Sequence, residues 1–291
     1  MNELRQVLQV CPQVIVRAVS YIPQREAAGI EEIRLRNGQF PSYLRNDKEK
    51  ALSHERINGK DLQEVIDRAS ENSAYAVQDM LKNGFLTLRG GHRIGLCGRG
   101  VYRQGEIQSL RDVSSVNIRI ARQIWGVADQ AVNFIWTHPR STLILAPPGR
   151  GKTTLLRDLI RQLSERFTWR ICVVDERLEI GACVGGVPQL SLGTSTDILS
   201  GIFKAEAINM LLRSMNPQWI ALDEITAAQD IEAICQASYC GVRFLATAHA
   251  ASIQELRERP IYRQLLVAKV FQNIITINPA RTLQMEVISN D

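Results

Sequence analysis

The sequence predicts an α/β protein: a three-layer domain on a mostly parallel sheet, preceded by a smaller α+β domain. Three observations carry this expectation. Short apolar runs at 142–146, 171–174, 219–222 and 242–247 alternate with amphipathic helical stretches, as in a parallel sheet covered on both faces. Upstream, helical periodicity gives way after Phe85 to strands separated by glycine-containing turns. Finally, the run ending at Ala146 enters Pro147-Pro148-Gly149-Arg150-Gly151-Lys152-Thr153-Thr154, a Pro/Gly turn that opens a helix.

In chain order, Leu4, Val7, Leu8, Cys11, Ile15 and Val19 recur at helical spacing, with Pro12 as a kink or turn, so one or two helices are expected over 3–20. Ile33 and Leu35 alternate with Glu32, Arg34 and Arg36 in a strand with one wet face, and Asn37-Gly38 turns it. Leu62, Val65, Ile66 and Ala69 mark a helix, and 74–81 a second. Strands follow at 86–89, 92–101 and 106–120, broken at Gly90-Gly91 and Gln104-Gly105. The domain boundaries expected are 1–123 for the α+β part, 124–139 for a linker with a helix, and 140–291 for the α/β part. There the helices are expected at Leu155 to Leu163, Lys204 to Met215 and Ile231 to Ser238, and two edge strands or a hairpin at 270–277 and 281–288.

The chain has 291 residues, 45% of them apolar, enough for one large or two ordinary cores. No apolar run approaches the ~18 residues of a spanning helix, and the N-terminal residues lack a signal-peptide pattern. The six cysteines show no C-x-x-C spacing, so buried reduced thiols are expected rather than disulfides or a metal site. A net charge of +5 favours anionic partners.

The glycine-rich turn reads as a phosphate-binding loop. Gly149 and Gly151 let backbone N–H groups converge on an anion, and the helix N-terminus adds its positive end. Lys152 is placed for the β- and γ-phosphates and Thr153 for Mg²⁺. The usual pattern begins with glycine, where this chain has Ala146. Gly149, Gly151 and Thr154 also fit half of a dinucleotide fingerprint, with Asp175 or Glu176 about 20 residues on, but the Lys-Thr pair argues for a nucleoside triphosphate.

The run Trp219-Ile220-Ala221-Leu222 ends in Asp223-Glu224, a candidate Mg²⁺ carboxylate followed by a candidate general base. The strand Ile171-Cys172-Val173-Val174 ends in Asp175-Glu176, a pair expected to position water or metal, which makes Glu176 the rival base. The strand at 242–246 ends in Thr247-Ala248-His249, candidates for sensing the γ-phosphate. Of the arginines at 89, 93, 99, 103, 111, 119 and 122, Arg119 and Arg122 are the candidates for contacting nucleotide held by a neighbouring subunit.

The order of these strand ends resembles the ATPases of bacterial secretion and type IV pilus systems. More closely, Val174-Asp175-Glu176-Arg177, Thr196-Asp197-Ile198-Leu199, Lys204-Ala205-Glu206 and Cys240-Gly241-Val242, together with 88–95 and 115–122, resemble the stage III sporulation protein AA family. The resemblance implies a RecA-like ATPase core in which the strand ending at Thr247 lies between the phosphate-loop strand and the Asp223-Glu224 strand. It also implies ATP and Mg²⁺ as ligands, a homo-oligomer in the form of a hexameric ring with nucleotide between subunits, and docking from the cytoplasm on membrane-embedded channel proteins during endospore formation. The stretch Gly181 to Gly201, with little regular pattern, is expected to be a long loop serving as a pore or partner contact. A nucleic-acid-dependent ATPase and an ATP-gated scaffold stay open as alternatives. Aromatics at 6%, with no interleaving of basic and aromatic residues, speak against nucleic acid.

Overall fold

Two compact units, residues 1–122 and 123–291, make up the computed structural model, which describes residues 2–71, 78, 81–82 and 84–288. The helix expected over 74–81 lies largely outside the described residues.

In the first unit, α1 (Asn2–Leu8) and α2 (Gln13–Ser20) are separated at Pro12, which precedes the first turn of α2. A short α3 (Gln24–Ala27), not expected from the periodicity, leads into β1 (Glu32–Arg36). Strands β2 (Ser42–Arg45) and β3 (Lys48–Ala51) follow; the polar Lys48-Glu49-Lys50 gave no strand signal. Next comes α4 (Gly59–Ala69), started by an Asn58/Asp61 capping box. Strands β4 (Phe85–Thr87), β5 (Arg93–Arg103) and β6 (Glu106–Arg119) complete an antiparallel sheet ordered β3-β2-β1-β6-β5-β4. The β5–β6 turn places Gln104 and Gly105 at φ 54° and 84°, the positive pair that matches strand twist in a two-residue hairpin. Ile33, Leu35, Ile94, Val116 and Ile118 from the sheet pack with Leu4, Val7, Ile15, Leu62 and Ile66 from the helices.

The second unit begins with α5 (Asp129–Thr137), inside the segment expected as a linker. Ala131, Val132 and Ile135 are fully buried in its core, and the Ala128 N–H donates to Asp158 Oδ2 at 3.0 Å. The chain continues through β7 (Thr142–Leu145), α6 (Lys152–Phe167), β8 (Ile171–Asp175), β9 (Thr196–Ser200), α7 (Lys204–Ser214), β10 (Trp219–Leu222), α8 (Ala228–Tyr239), β11 (Arg243–Ala248), α9 (Ile253–Glu258), α10 (Pro260–Val267), β12 (Asn273–Ile277) and β13 (Leu283–Val287). The sheet order is β13-β12-β7-β11-β10-β8-β9, parallel apart from β13. β11 therefore lies between β7, which leads into the glycine-rich loop, and the acidic strand β10.

Alternate residues of each central strand face opposite layers. Leu143, Val174, Leu222 and Phe244 pack with Ile208, Leu211, Ile231 and Ile234 of α7 and α8. Ile144, Val173, Ala221 and Leu245 pack with Leu155, Leu159 and Leu163 of α6. The stretch 181–201, expected as an irregular loop, is corrected here. It contributes edge strand β9 to the sheet and buries Ala182, Cys183, Leu190 and Leu192.

Candidate active site

The carboxyl ends of β7, β11, β10 and β8 lie within about two residues of one another along the sheet, because these strands are parallel. At the end of β7, Gly149 and Gly151 adopt φ 71° and 92°, and an added Cβ would meet nothing within 4 Å at either. Glycine is required there by the left-handed backbone rather than by crowding. Ala146 stays outside the left-handed region; it is fully buried and its N–H points to Ala248 O at 3.4 Å. A methyl group is tolerated at that departure because the site is part of the sheet packing. Pro148, Gly149 and Arg150 are exposed at the crest of the loop, and Thr154 is half-buried on the first turn of α6. The N-terminus of α6 has no side-chain cap, so its first N–H groups remain available to an anion.

Lys152 is only 5% exposed. Its Nζ donates to Ala146 O (3.1 Å) and Pro147 O (3.3 Å) and lies 2.7 Å from His249 Nδ1. Burial lowers the Lys152 pKa from the ordinary lysine value, and Glu224 and Asp223 oppose the shift. Across the loop, Thr153 Oγ1 donates to Asp223 Oδ2 at 2.6 Å, while the Thr247 hydroxyl donates to Asp223 Oδ1. Thr247 Oγ1 in turn accepts the Glu224 N–H at 2.9 Å. Glu224 sits at φ 42°, an unusual conformation for a non-glycine residue. Its carboxylate lies 2.6 Å from His249 Nε2 and 3.3 Å from Arg177 Nη1. Lys152, His249, Glu224 and Arg177 thus form one continuous chain of polar contacts. The hydroxyl and carboxylate oxygens of Thr153 and Asp223 are the hard donors Mg²⁺ prefers, and the open glycine cradle suits a phosphate chain.

At the end of β8 the two acids do different things. Asp175, 2% exposed, accepts the N–H groups of Glu179 (2.8 Å), Ile180 (3.0 Å) and Gly181 (2.8 Å). It anchors the turn that follows its own strand, which corrects the expectation that both acids position water or metal. Glu176 Oε2 pairs with Lys204 Nζ at 2.5 Å.

Within the first unit, Arg122 Nη2 donates to Ala28 O (2.8 Å) and Ile30 O (2.5 Å), tying the end of the sheet to the turn before β1. Arg119 remains largely exposed on β6, 3.3 Å from Glu32 Oε1.

Residues 1–285 match the family described as sporulation stage III, protein AA. Stage III sporulation protein AA of Bacillus subtilis (strain 168) is 37% identical over 286 residues, covering 97% of this chain and 92% of that protein. The chain belongs to the sporulation stage III protein AA family. Another relative, the uncharacterized protein ycf45 of Cyanidium caldarium, is 26% identical over 91% of this chain and 74% of its own length. Among solved structures, the pilus retraction motor PilT with bound ADP superposes with a TM-score of 0.65 at 18% identity, over 96% of this chain and 83% of that one. The Legionella pneumophila ATPase DotB gives 0.63 at 15% identity, over 96% and 82%. This family member therefore has the fold of the RecA-like secretion ATPases. Among the described residues, no helix is long and apolar enough to cross a membrane.

Two site residues of this family member escape a reading of the sequence. Lys204 is 4% exposed although it opens an amphipathic helix, and a cation in a first turn, where acids are favoured, was the available signal. Arg157, on the inward face of α6, donates to Ile180 O (2.6 Å) and Glu179 O (2.7 Å). Burial lowers its pKa, with Asp175 the main opposing charge. In sequence it is indistinguishable from a solvated helix arginine.

Proposed function

We propose that this chain is an ATP-hydrolysing motor of a sporulation secretion complex. The observation that carries the reading is the Thr153–Asp223 hydrogen bond at 2.6 Å beside the buried Lys152, which gathers a metal corner and a phosphate cation at the mouth of the glycine loop. Lys152 and the N–H groups of 149–154 would bind the phosphate chain of ATP, and Thr153 and Asp223 would hold Mg²⁺. Bound there, Mg²⁺ would supply charge neutralisation on the phosphate chain. Glu224, oriented by His249 and by the Thr247 hydroxyl at its N–H, takes the proton of the attacking water. The water oxygen bonds to the γ-phosphorus as the bond to the β,γ-bridging oxygen breaks, releasing ADP and phosphate. Thr247 and His249 join the phosphate site to the base, a position suited to sensing the γ-phosphate.

The family assignment and a fold similar to a pilus retraction motor support a mechanical use of that hydrolysis. In this reading the protein works as a homo-oligomeric ring, hexameric in the simplest form, docked from the mother-cell cytoplasm on membrane-embedded channel proteins. Arg119, exposed and held only by a peripheral ion pair, is the better arginine for reaching a neighbour's nucleotide, since Arg122 is committed to two carbonyls. Phosphate release measured against protein concentration tests the proposal. Turnover per chain should rise steeply with concentration and fall on the order of 10²-fold or more in Glu224→Gln; absence of Mg²⁺-dependent phosphate release at every concentration would refute it.

A further inference from the structure

Lys204 has no part in the reaction so far described, yet the fold goes against two preferences to put it where it is. It occupies the first turn of α7, where the helix dipole disfavours a cation, and its ammonium is taken out of water with the side chain 4% exposed. Glu176 Oε2, 2.5 Å from Nζ, is the compensation. A second observation gives the pair a place in the site. A space of about 10 Å³ opens among Glu176, Arg177, Lys204, Asp223 and Glu224. That is the room one water needs, and such a water needs two to four polar partners, which these side chains provide.

We propose that Lys204 is a positioning residue: it holds the Glu176 carboxylate at the wall of the same space that Glu224 lines, and that space seats the attacking water. The inference rests on the ATPase reading and adds a division of labour to it. Glu224 removes the water's proton as its oxygen bonds to the γ-phosphorus. Glu176, fixed by Lys204, accepts the second water hydrogen as a hydrogen bond and neither gains nor loses a proton in the step. Lys204 borders the same space, but its ammonium is engaged by Glu176 and acts through that carboxylate. Losing it should therefore misplace the nucleophile without weakening nucleotide binding.

The test compares the full-length wild type with Lys204→Met, Lys204→Arg, Glu176→Gln and the Lys204→Met/Glu176→Gln double variant. It measures kcat and KM for ATP together with the affinity for a fluorescent ATP analogue. Lys204→Met should lower kcat roughly 10- to 100-fold with analogue affinity nearly unchanged, because misplacement of a reacting group costs that order in rate. Lys204→Arg should recover most of the loss, and the double variant should be no slower than Glu176→Gln alone. Wild-type kcat in Lys204→Met, losses that add in the double variant, or kcat and analogue affinity falling together would overturn the proposal. A wild type that binds the analogue but releases no phosphate would instead overturn the ATPase reading, and the inference with it.

Discussion

Thr153 Oγ1 and Asp223 Oδ2 lie 2.6 Å apart, although 70 positions separate them in the chain. The contact exists because β7 and β10 flank β11 in parallel register, which brings the first turn of α6 to the end of the acidic strand. A hydroxyl and a carboxylate held this way form an oxygen-lined corner of the donor type hard divalent cations prefer. Thr153→Ala is expected to lower ATP turnover on the order of 10²-fold and raise the Mg²⁺ concentration needed for half-maximal rate. Thr153→Ser, which keeps the hydroxyl, should stay close to wild type. A Mg²⁺ titration of phosphate release on the three proteins decides it, and an unaltered metal requirement in Thr153→Ala would contradict the assignment.

Lys152 provides a pH signature. Its ammonium is buried against the Ala146 and Pro147 carbonyls, and burial lowers its pKa below the ordinary 10.5. A base with a lowered folded pKa loses its charge at lower pH than a free lysine. Nucleotide affinity should therefore start to fall on the alkaline side before an unperturbed lysine would titrate. By the same linkage the free protein should gain stability as pH rises between the lowered pKa and 10.5, because the unfolded chain holds the proton more tightly there. Analogue binding measured from about pH 7 to about pH 10 tests this, with Lys152→Arg as the control that keeps its charge and should flatten the alkaline limb.

What could be read in advance follows from how local each signal is. The glycine-rich loop, the apolar strands and the Asp223-Glu224 end are written in contiguous residues. The alternation at Ile33 and Leu35 and the Gln104-Gly105 turn are equally local. β3 was invisible because Lys48-Glu49-Lys50 is polar on both faces, and it exists through pairing with β2 and the Arg36–Glu49 contact at 2.6 Å. β9 was hidden by the glycines around it, since its partner β8 begins 25 positions earlier, at Ile171 rather than Thr196. The roles of Asp175 and Glu176 could not be told apart in sequence. Only the fold reveals that one faces its own turn while the other faces Lys204.

The two arginines nearest the end of the first unit should separate on mutation. Arg122→Ala removes a guanidinium bonded to Ala28 O and Ile30 O, so it should lower Tm, with a loss of about 1–3 kcal/mol expected for charge-assisted bonds of this kind. Arg119→Ala loses an ion pair whose guanidinium is largely exposed, while Glu32 keeps its bonds from Arg34 and Asn117; the loss is worth less than about 1 kcal/mol, so Tm should barely move. If Arg119 completes a neighbour's site, its removal should cut turnover on the order of 10²-fold or more while chain association persists. Thermal melts and phosphate release on both variants separate a structural arginine from a catalytic one; full turnover in Arg119→Ala would exclude it.

Acid titration offers an independent check on the first unit. Hydrogen bonds from Arg36 and Ser42 hold the Glu49 carboxyl down to about 2 from its ordinary 4.5. A lowered carboxyl pKa contributes stability that is complete above the unfolded value and is lost as pH falls through the folded one. The contribution of Glu49 should therefore disappear between about pH 4.5 and about pH 2. Glu49→Gln should flatten that part of the stability curve while leaving nucleotide hydrolysis near neutral pH untouched. Denaturant melts across the interval measure it, and a wild-type slope in the variant would show that other carboxylates carry the acid response.

Asp175 and Asp223 end neighbouring strands, and their environments assign them opposite consequences. Asp175, itself buried, accepts three backbone N–H groups of the turn that Arg157 braces through the Glu179 and Ile180 carbonyls. Asp175→Ala strands those donors and leaves Arg157 without its main neighbouring charge. The expected cost is about 3–5 kcal/mol, or a fall in Tm on the order of 10 °C. Asp223 is only half-buried, the Thr153 hydroxyl it holds is half-buried too, and the buried Thr247 hydroxyl keeps its bond from the Glu224 N–H, so Asp223→Ala should shift Tm less than Asp175→Ala while reducing Mg²⁺-dependent turnover by on the order of 10²-fold. Melting and turnover measured on both variants must dissociate in these opposite senses. If Asp175→Ala melts like wild type, the carboxylate is not the anchor of its turn, and the difference drawn between the acids of β8 and β10 fails.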